Sequence, residues 1–196
     1  MKKPKATALV SSAVMILAAT CASSASATFP EIKGVSREGP VTLVSSLQQG
    51  SSALWQTTSG AFANTCTASQ IHATITGYAI DAYGPVGSLS FSNCTTSPVV
   101  VDEKGSLSIN YIGTSTNGTV RTSGTKVTAP SPLGGNLTCT TGSGVDLGTL
   151  TGVKEGNAKI DIQAVLSCGF LAPSVTWTAS YTVTSPTNLG ITMEFP

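Results

Sequence analysis

Ten residues near one end of the chain, Val175-Thr176-Trp177-Thr178-Ala179-Ser180-Tyr181-Thr182-Val183-Thr184, alternate apolar and hydroxyl side chains without a break. Successive side chains of a β-strand point to opposite faces, so such a run buries one face and wets the other. The pattern recurs. Ile160, Ile162, Ala164, Leu166 and Cys168 alternate with Lys159, Asp161, Gln163, Val165 and Ser167, and Ile71, Ala73 and Ile75 oppose His72, Thr74 and Thr76. Leu107, Ile109 and Tyr111 form one face of a further strand, and shorter strands are predicted for Val41 to Leu47, Leu89 to Phe91, Asn136 to Thr140 and Leu189 to Phe195. Turn signals lie between the runs: Asn117-Gly118, Pro130-Ser131-Pro132-Leu133-Gly134-Gly135 and Ser185-Pro186. After the first residues, no segment keeps a 3.6-residue apolar period over ten positions, so helices are expected to be short at most. Many brief strands between regular turns predict an all-β fold, an antiparallel β-sandwich with two disulfides. Trp55 and Trp177 are its expected core anchors, with a sugar-stacking platform as the functional alternative.

The beginning of the chain reads as an export signal. Lys2, Lys3 and Lys5 precede an apolar, small-residue run from Ala6 to Thr20, and Ala25-Ser26-Ala27 offers small side chains to a signal peptidase. Residues 1–27 are read as the signal peptide, cut after Ala27, and 28–196 as one β-sandwich domain. Spanning a bilayer takes about 20 predominantly apolar residues, and this run is shorter and diluted by Ser11, Ser12 and Thr20. No integral membrane segment is therefore expected after signal removal. Cys21 raises the possibility of a lipid anchor, but Thr20 and Ala18 stand where lipoprotein signals normally carry a small residue and a leucine-like one.

Four cysteines remain: Cys66, Cys94, Cys139 and Cys168. An even set in an exported chain reads as disulfides, because zinc sites usually show closely paired ligands such as Cys-x-x-Cys and none of these cysteines are near neighbours. Four cysteines permit three connectivities. The nearly equal intervals favour one of them, Cys66 with Cys94 and Cys139 with Cys168. Cys66-Thr67 leads to Thr74-Ile75-Thr76-Gly77, and Cys139-Thr140 leads to Thr149-Leu150-Thr151-Gly152. Each interval also carries a turn signal near its middle, Asp81-Ala82-Tyr83-Gly84-Pro85 and Lys154-Glu155-Gly156-Asn157. Two hairpins, each closed by a bridge, are the expectation, although a Thr-rich chain produces such likenesses by composition alone.

Charge excludes several functions. Once the three leader lysines are gone, seven basic residues face nine acidic ones. Nucleic acid would ask for a clustered basic face, and an electrostatic membrane binder would ask for the same. Catalytic chemistry is sparse. His72 is the single histidine, and a Ser-His-Asp relay needs one held between an acid and a nucleophile, yet no serine sits in a Gly-x-Ser-x-Gly elbow. One histidine and bridged thiols leave no metal site and call for no cofactor. The carboxylates are Glu31, Glu38, Asp81, Asp102, Glu103, Asp146, Glu155, Asp161 and Glu194; a glycosidase would bring two of them across a cleft.

The layout of a lysine-led, alanine-rich leader, Cys-Thr segments, Gly-rich turns and a closing Trp177-Thr178-Ala179-Ser180-Tyr181 before Pro186-Thr187-Asn188-Leu189 resembles small secreted proteins of actinobacteria of unknown function. The resemblance rests on pattern and carries over no catalytic or binding residue. The expected function is that of a non-enzymatic secreted or cell-envelope module, binding or structural, with a cell-surface protein or glycan as the kind of partner it would meet. A carboxylate-dependent hydrolase or carbohydrate-active enzyme is the alternative, and an oligomeric envelope channel, whose strands would turn an apolar band outward, comes after it.

Overall fold

The structure is a computed structural model and describes residues 26–194 apart from 97, 114–115, 132–133 and 170–172. The leader and Cys21 thus lie outside the described residues, save for Ser26 and Ala27, as does Phe195. The described chain forms strands and no helix: β1 (Ala27–Ile32), β2 (Val35–Ser36), β3 (Val41–Leu47), β4 (Ala53–Thr57), β5 (Ala63–Ile75), β6 (Gly77–Tyr78), β7 (Asp81–Cys94) and β8 (Val100–Glu103) in the first half. Then follow β9 (Ser106–Tyr111), β10 (Gly118–Ser123), β11 (Lys126–Pro130), β12 (Asn136–Thr140), β13 (Val145–Thr151), β14 (Lys159–Cys168), β15 (Ser174–Ser185) and β16 (Leu189–Glu194).

The strands close on themselves. Antiparallel pairing runs β5–β7–β9–β10–β13–β14–β15, and β15 then pairs with β3 and β4, which both return to β5. β3 and β4 are halves of one wall strand. β3 lies between residues 181–185 of β15 and 70–75 of β5, β4 lies between 175–178 and 63–66, and the break at 48–52 is held by Gln48 N–H and Ser51 Oγ on the Ser180 carbonyl, 2.8 and 3.1 Å. The result is a closed eight-stranded up-and-down barrel, not the expected sandwich. Alternation shows that a strand has one dry face and one wet face, which is true of both architectures. What separates them is whether the last wall strand pairs with the first.

An eight-stranded barrel has an interior just wide enough for side chains to fill, and this one is filled. Trp55 and Trp177 face each other directly across β4 and β15, and their rings stack at 5.1 Å with planes 5° apart. Phe91 meets both edge-on at 5.1 and 5.6 Å, and Tyr181 meets Trp177 edge-on at 6.4 Å. Around them the apolar halves of the alternating runs, Ile71, Ile75, Ile109, Ile160, Leu166 and Val183 among them, are buried. The Tyr181 hydroxyl shares a 2.7 Å hydrogen bond with Ser69 Oγ, and burial pushes its phenol well above the ordinary value.

Both ends are covered. At one, β8, β11 and β12 form a flap that joins the wall through the pairing of Cys139 and Thr140 with Cys168 and Ser167. Its Val99, Val127, Ala129 and Leu137 are buried, and they line a small void together with Phe62, Trp55 and Val175. At the other end β1 pairs with β16 and β2. Thr28 is fully buried there, its N–H donating to Ala79 O at 2.7 Å and its hydroxyl to Ile80 O at 2.5 Å.

Two local expectations need correction. Asp81-Ala82-Tyr83-Gly84-Pro85 is not a turn but the start of β7, and the chain reverses just before it, over 78–81. Gly84 is required by packing, since a Cβ there would lie 1.8 Å from the Thr74 carbonyl. The first bridge closes the β5–β7 pair as expected, but the second does not close a hairpin: β13 and β14 are the hairpin, and β12, which carries Cys139, belongs to the flap.

Candidate recognition surface

The four cysteines form two cross-strand bridges, Cys66–Cys94 between β5 and β7 and Cys139–Cys168 between β12 and β14. These are the partners that the intervals favour. The tryptophans are 4% and 3% exposed, so they anchor the core and offer no platform to a sugar. His72 is half-buried on β5, with Val44 and Ser88 as its strand partners. Among the described residues no three histidine, cysteine or acidic side chains gather as a metal would need. None of the nine carboxylates is buried, and so no pair of buried acids faces across a cleft.

The lumen leaves little room. Among the described residues, the void beside the stacked tryptophans, which reaches Thr122, Thr125 and Thr141 under the flap, is about 20 Å³, and the one beneath Val127 and Leu137 is about 10 Å³. A water molecule alone needs roughly 10–15 Å³. The three threonines form a hydrogen-bonded plug: Thr122 and Thr125 hydroxyls lie 2.8 Å apart, and Thr125 N–H donates to Thr141 Oγ1 at 2.9 Å. Groups that meet a partner must therefore lie on the outer wall or at the caps.

The wall is polar. Thr176, Thr178, Ser180 and Thr182 of β15 and Lys159, Asp161, Gln163 and Ser167 of β14 face outward, with Val165 the apolar exception in that row, so these strands lack the continuous apolar band that a membrane barrel turns to lipid. One part of it is more organised than the rest. Tyr83, Ser108, Arg121 and Asp146 are successive cross-strand partners on β7, β9, β10 and β13, and Asp81 and Asn110 form the adjoining row. At about 4.8 Å between strands, the first row runs roughly 14 Å around the barrel. Arg121 Nε donates to Asp146 Oδ1 at 2.6 Å, its Nη1 lies 3.9 Å from Asp81 Oδ2, and Asn110 Nδ2 donates to Asp81 Oδ1 at 2.7 Å. The hydrogen bond to Asp146 and the charges of Asp146 and Asp81 raise the Arg121 pKa and keep the guanidinium ionised.

Sequence reasoning missed this cluster. Asp81 and Asp146 appear in it only as two carboxylates among nine, and Tyr83 lies in a segment expected to turn. Asn110, Ser108 and Arg121 carry no motif, and only the register of four strands unites them.

The protein is thus defined by its fold as a closed antiparallel barrel with a solid core, two capped ends and a polar wall. Comparison with protein-family models, with curated proteins and with solved structures finds no match to this chain.

Proposed function

We propose that this chain is an exported, non-enzymatic module of the secreted or cell-envelope compartment that works by recognition at its outer surface. The observation that carries the reading is the solid core: with the lumen packed by Trp55, Trp177, Phe91 and Tyr181 and both mouths capped, contact with a partner is left to the wall and the ends. Export is supported by the basic leader with Ala25-Ser26-Ala27 and by two disulfides, which persist in oxidising compartments. The resemblance to small secreted actinobacterial proteins agrees with it.

Two measurements test the proposal. Fractionation followed by N-terminal sequencing should find the protein outside the cytoplasm, beginning at Thr28 and without free thiols. A broad screen with glycoside, ester and peptide substrates should give no turnover; reproducible hydrolysis lost on changing one carboxylate, such as Asp81→Asn or Asp146→Asn, would establish the hydrolase instead.

A further inference from the structure

Among the described residues Tyr83 is the one aromatic side chain left on the exposed side, at 49%. Its position is built. Gly77 of β6 is its direct cross-strand partner, and a Cβ on residue 77 would lie 2.2 Å from the Tyr83 ring. The missing side chain lets the ring settle across the neighbouring strand, a known use of glycine beside an aromatic in sheets. Beside the ring stands the Asn110–Asp81–Arg121–Asp146 network, whose members hold one another in place. Among the described residues Arg121 makes its hydrogen bond through Nε, and its Nη groups remain donors with a fixed planar geometry.

We propose that this part of the wall is a saccharide-binding site. A pyranose has one face of C–H groups and a rim of hydroxyls that both donate and accept. The Tyr83 ring fits the face. Asp81 and Asp146 present carboxylate acceptors and Arg121 its Nη donors on neighbouring strands, the acceptor and donor pairs that vicinal hydroxyls require, beside Asn110, whose amide hydrogens go to Asp81 Oδ1 and Ile80 O and whose Oδ1 is an acceptor. The array is fixed before the ligand arrives, so little ordering is needed on binding, and a 14 Å row accommodates more than one sugar ring. A neutral glycan suits it better than an anionic one, because the two carboxylates outnumber the single guanidinium. The inference rests on the surface-recognition reading above and assigns the site and the ligand class to it.

The test uses the mature protein with four neutral probes: insoluble cellulose and chitin in sedimentation assays, and soluble mannan and β-glucan in affinity electrophoresis. At least one probe should bind. Tyr83→Ala and Arg121→Ala should each weaken that binding by about tenfold, the scale of one lost aromatic or charged contact, while Tyr83→Trp retains it. Gly77→Ala should also weaken it, by moving a ring that is itself unchanged. Thr178→Ala, on another part of the wall, is the control, and the near-ultraviolet circular dichroism of the Trp55–Trp177 stack reports that each variant is folded. Wild-type binding by folded Tyr83→Ala and Arg121→Ala proteins overturns the proposal, as does failure of all four probes to bind the folded wild type. Neither result touches the non-enzymatic export reading, which stands or falls with fractionation and the substrate screen.

Discussion

Replacing Tyr181 with phenylalanine removes one oxygen from the centre of the barrel and little else. Tyr181 and Ser69 are 0% and 4% exposed, so neither hydroxyl has water to turn to when the 2.7 Å bond between them is lost. At neutral pH the substitution should cost about 1–2 kcal/mol, the range for a buried hydrogen bond that leaves its partner unsatisfied. The alkaline range gives a sharper result. An unfolded tyrosine ionises near pH 10, whereas desolvation holds the buried Tyr181 phenol protonated well above that, the bond to Ser69 offsetting only part of the effect. The contribution to stability is fully present below about pH 10. Above it the unfolded chain binds fewer protons than the folded one, so stability falls by about 1.4 kcal/mol per pH unit until the folded phenol also ionises. Tyr181→Phe lacks this slope. The other titrations, including that of Tyr78, whose phenol burial also raises, are common to both proteins and cancel in the difference. Urea unfolding of both proteins from pH 8 to pH 11 measures it: about 1–2 kcal/mol separates them at the lower pH, and the gap narrows by about 1.4 kcal/mol at the upper. Parallel curves across the range, or phenolate absorbance showing all four tyrosines ionising together in the folded protein, would refute the reasoning.

Trp177→Ala should destabilise the protein by about 3–5 kcal/mol and abolish the exciton couplet of the stacked indoles, read by far-ultraviolet circular dichroism. Replacing Cys139 and Cys168 together by alanine frees the flap from β14. Hydrogen exchange should then quicken in β8, β11 and β12 first, with the wall protected, and global stability should fall by up to about 3–4 kcal/mol, the closure entropy of a loop of this length. Gly84→Ala forces a Cβ against the Thr74 carbonyl and should cost about 1–3 kcal/mol in thermal or urea unfolding; a neutral result would mean that β5 and β7 are farther apart than described.

The alternating runs were the legible part of this fold. β3, β12 and β14 have the bounds expected from their sequences, and β15 extends its predicted run by one residue at each end, because each pattern reports a local fact, which side chains are dry. β10 and β13 are hidden in the sequence because the inward positions beside Val120 are held by Gly118 and Thr122, and because a register irregularity at Gly148 sets the buried Leu147 and Leu150 three residues apart. At β7 two strong turn formers, Gly84 and Pro85, mislead for a physical reason. Glycine there answers a close approach of two backbones, and the proline sits where its missing N–H is not needed, the next residue, Val86, donating to Gly105 instead. Barrel closure and the Tyr83–Arg121 row were illegible alike, since both depend on register between segments far apart in sequence. The cysteine intervals conveyed one such long-range fact and were the exception.

A ring of strands has no first or last member. Sheets that end in the open offer a row of unpaired amides on which another chain can grow, and proteins that work at high concentration must blunt such borders. Here the wall has none, and the open borders among the described strands, at β2, β6, β8 and β16, are two to six residues long; the longest, β16, is tied further by Ile191 N–H donating to Thr116 O and Leu189 O accepting from Val153 N–H. At β8 the strand closes on Asp102 and Glu103, whose like charges repel a second copy laid alongside. For the exported chain proposed above, this geometry leaves little surface from which a fibril could start.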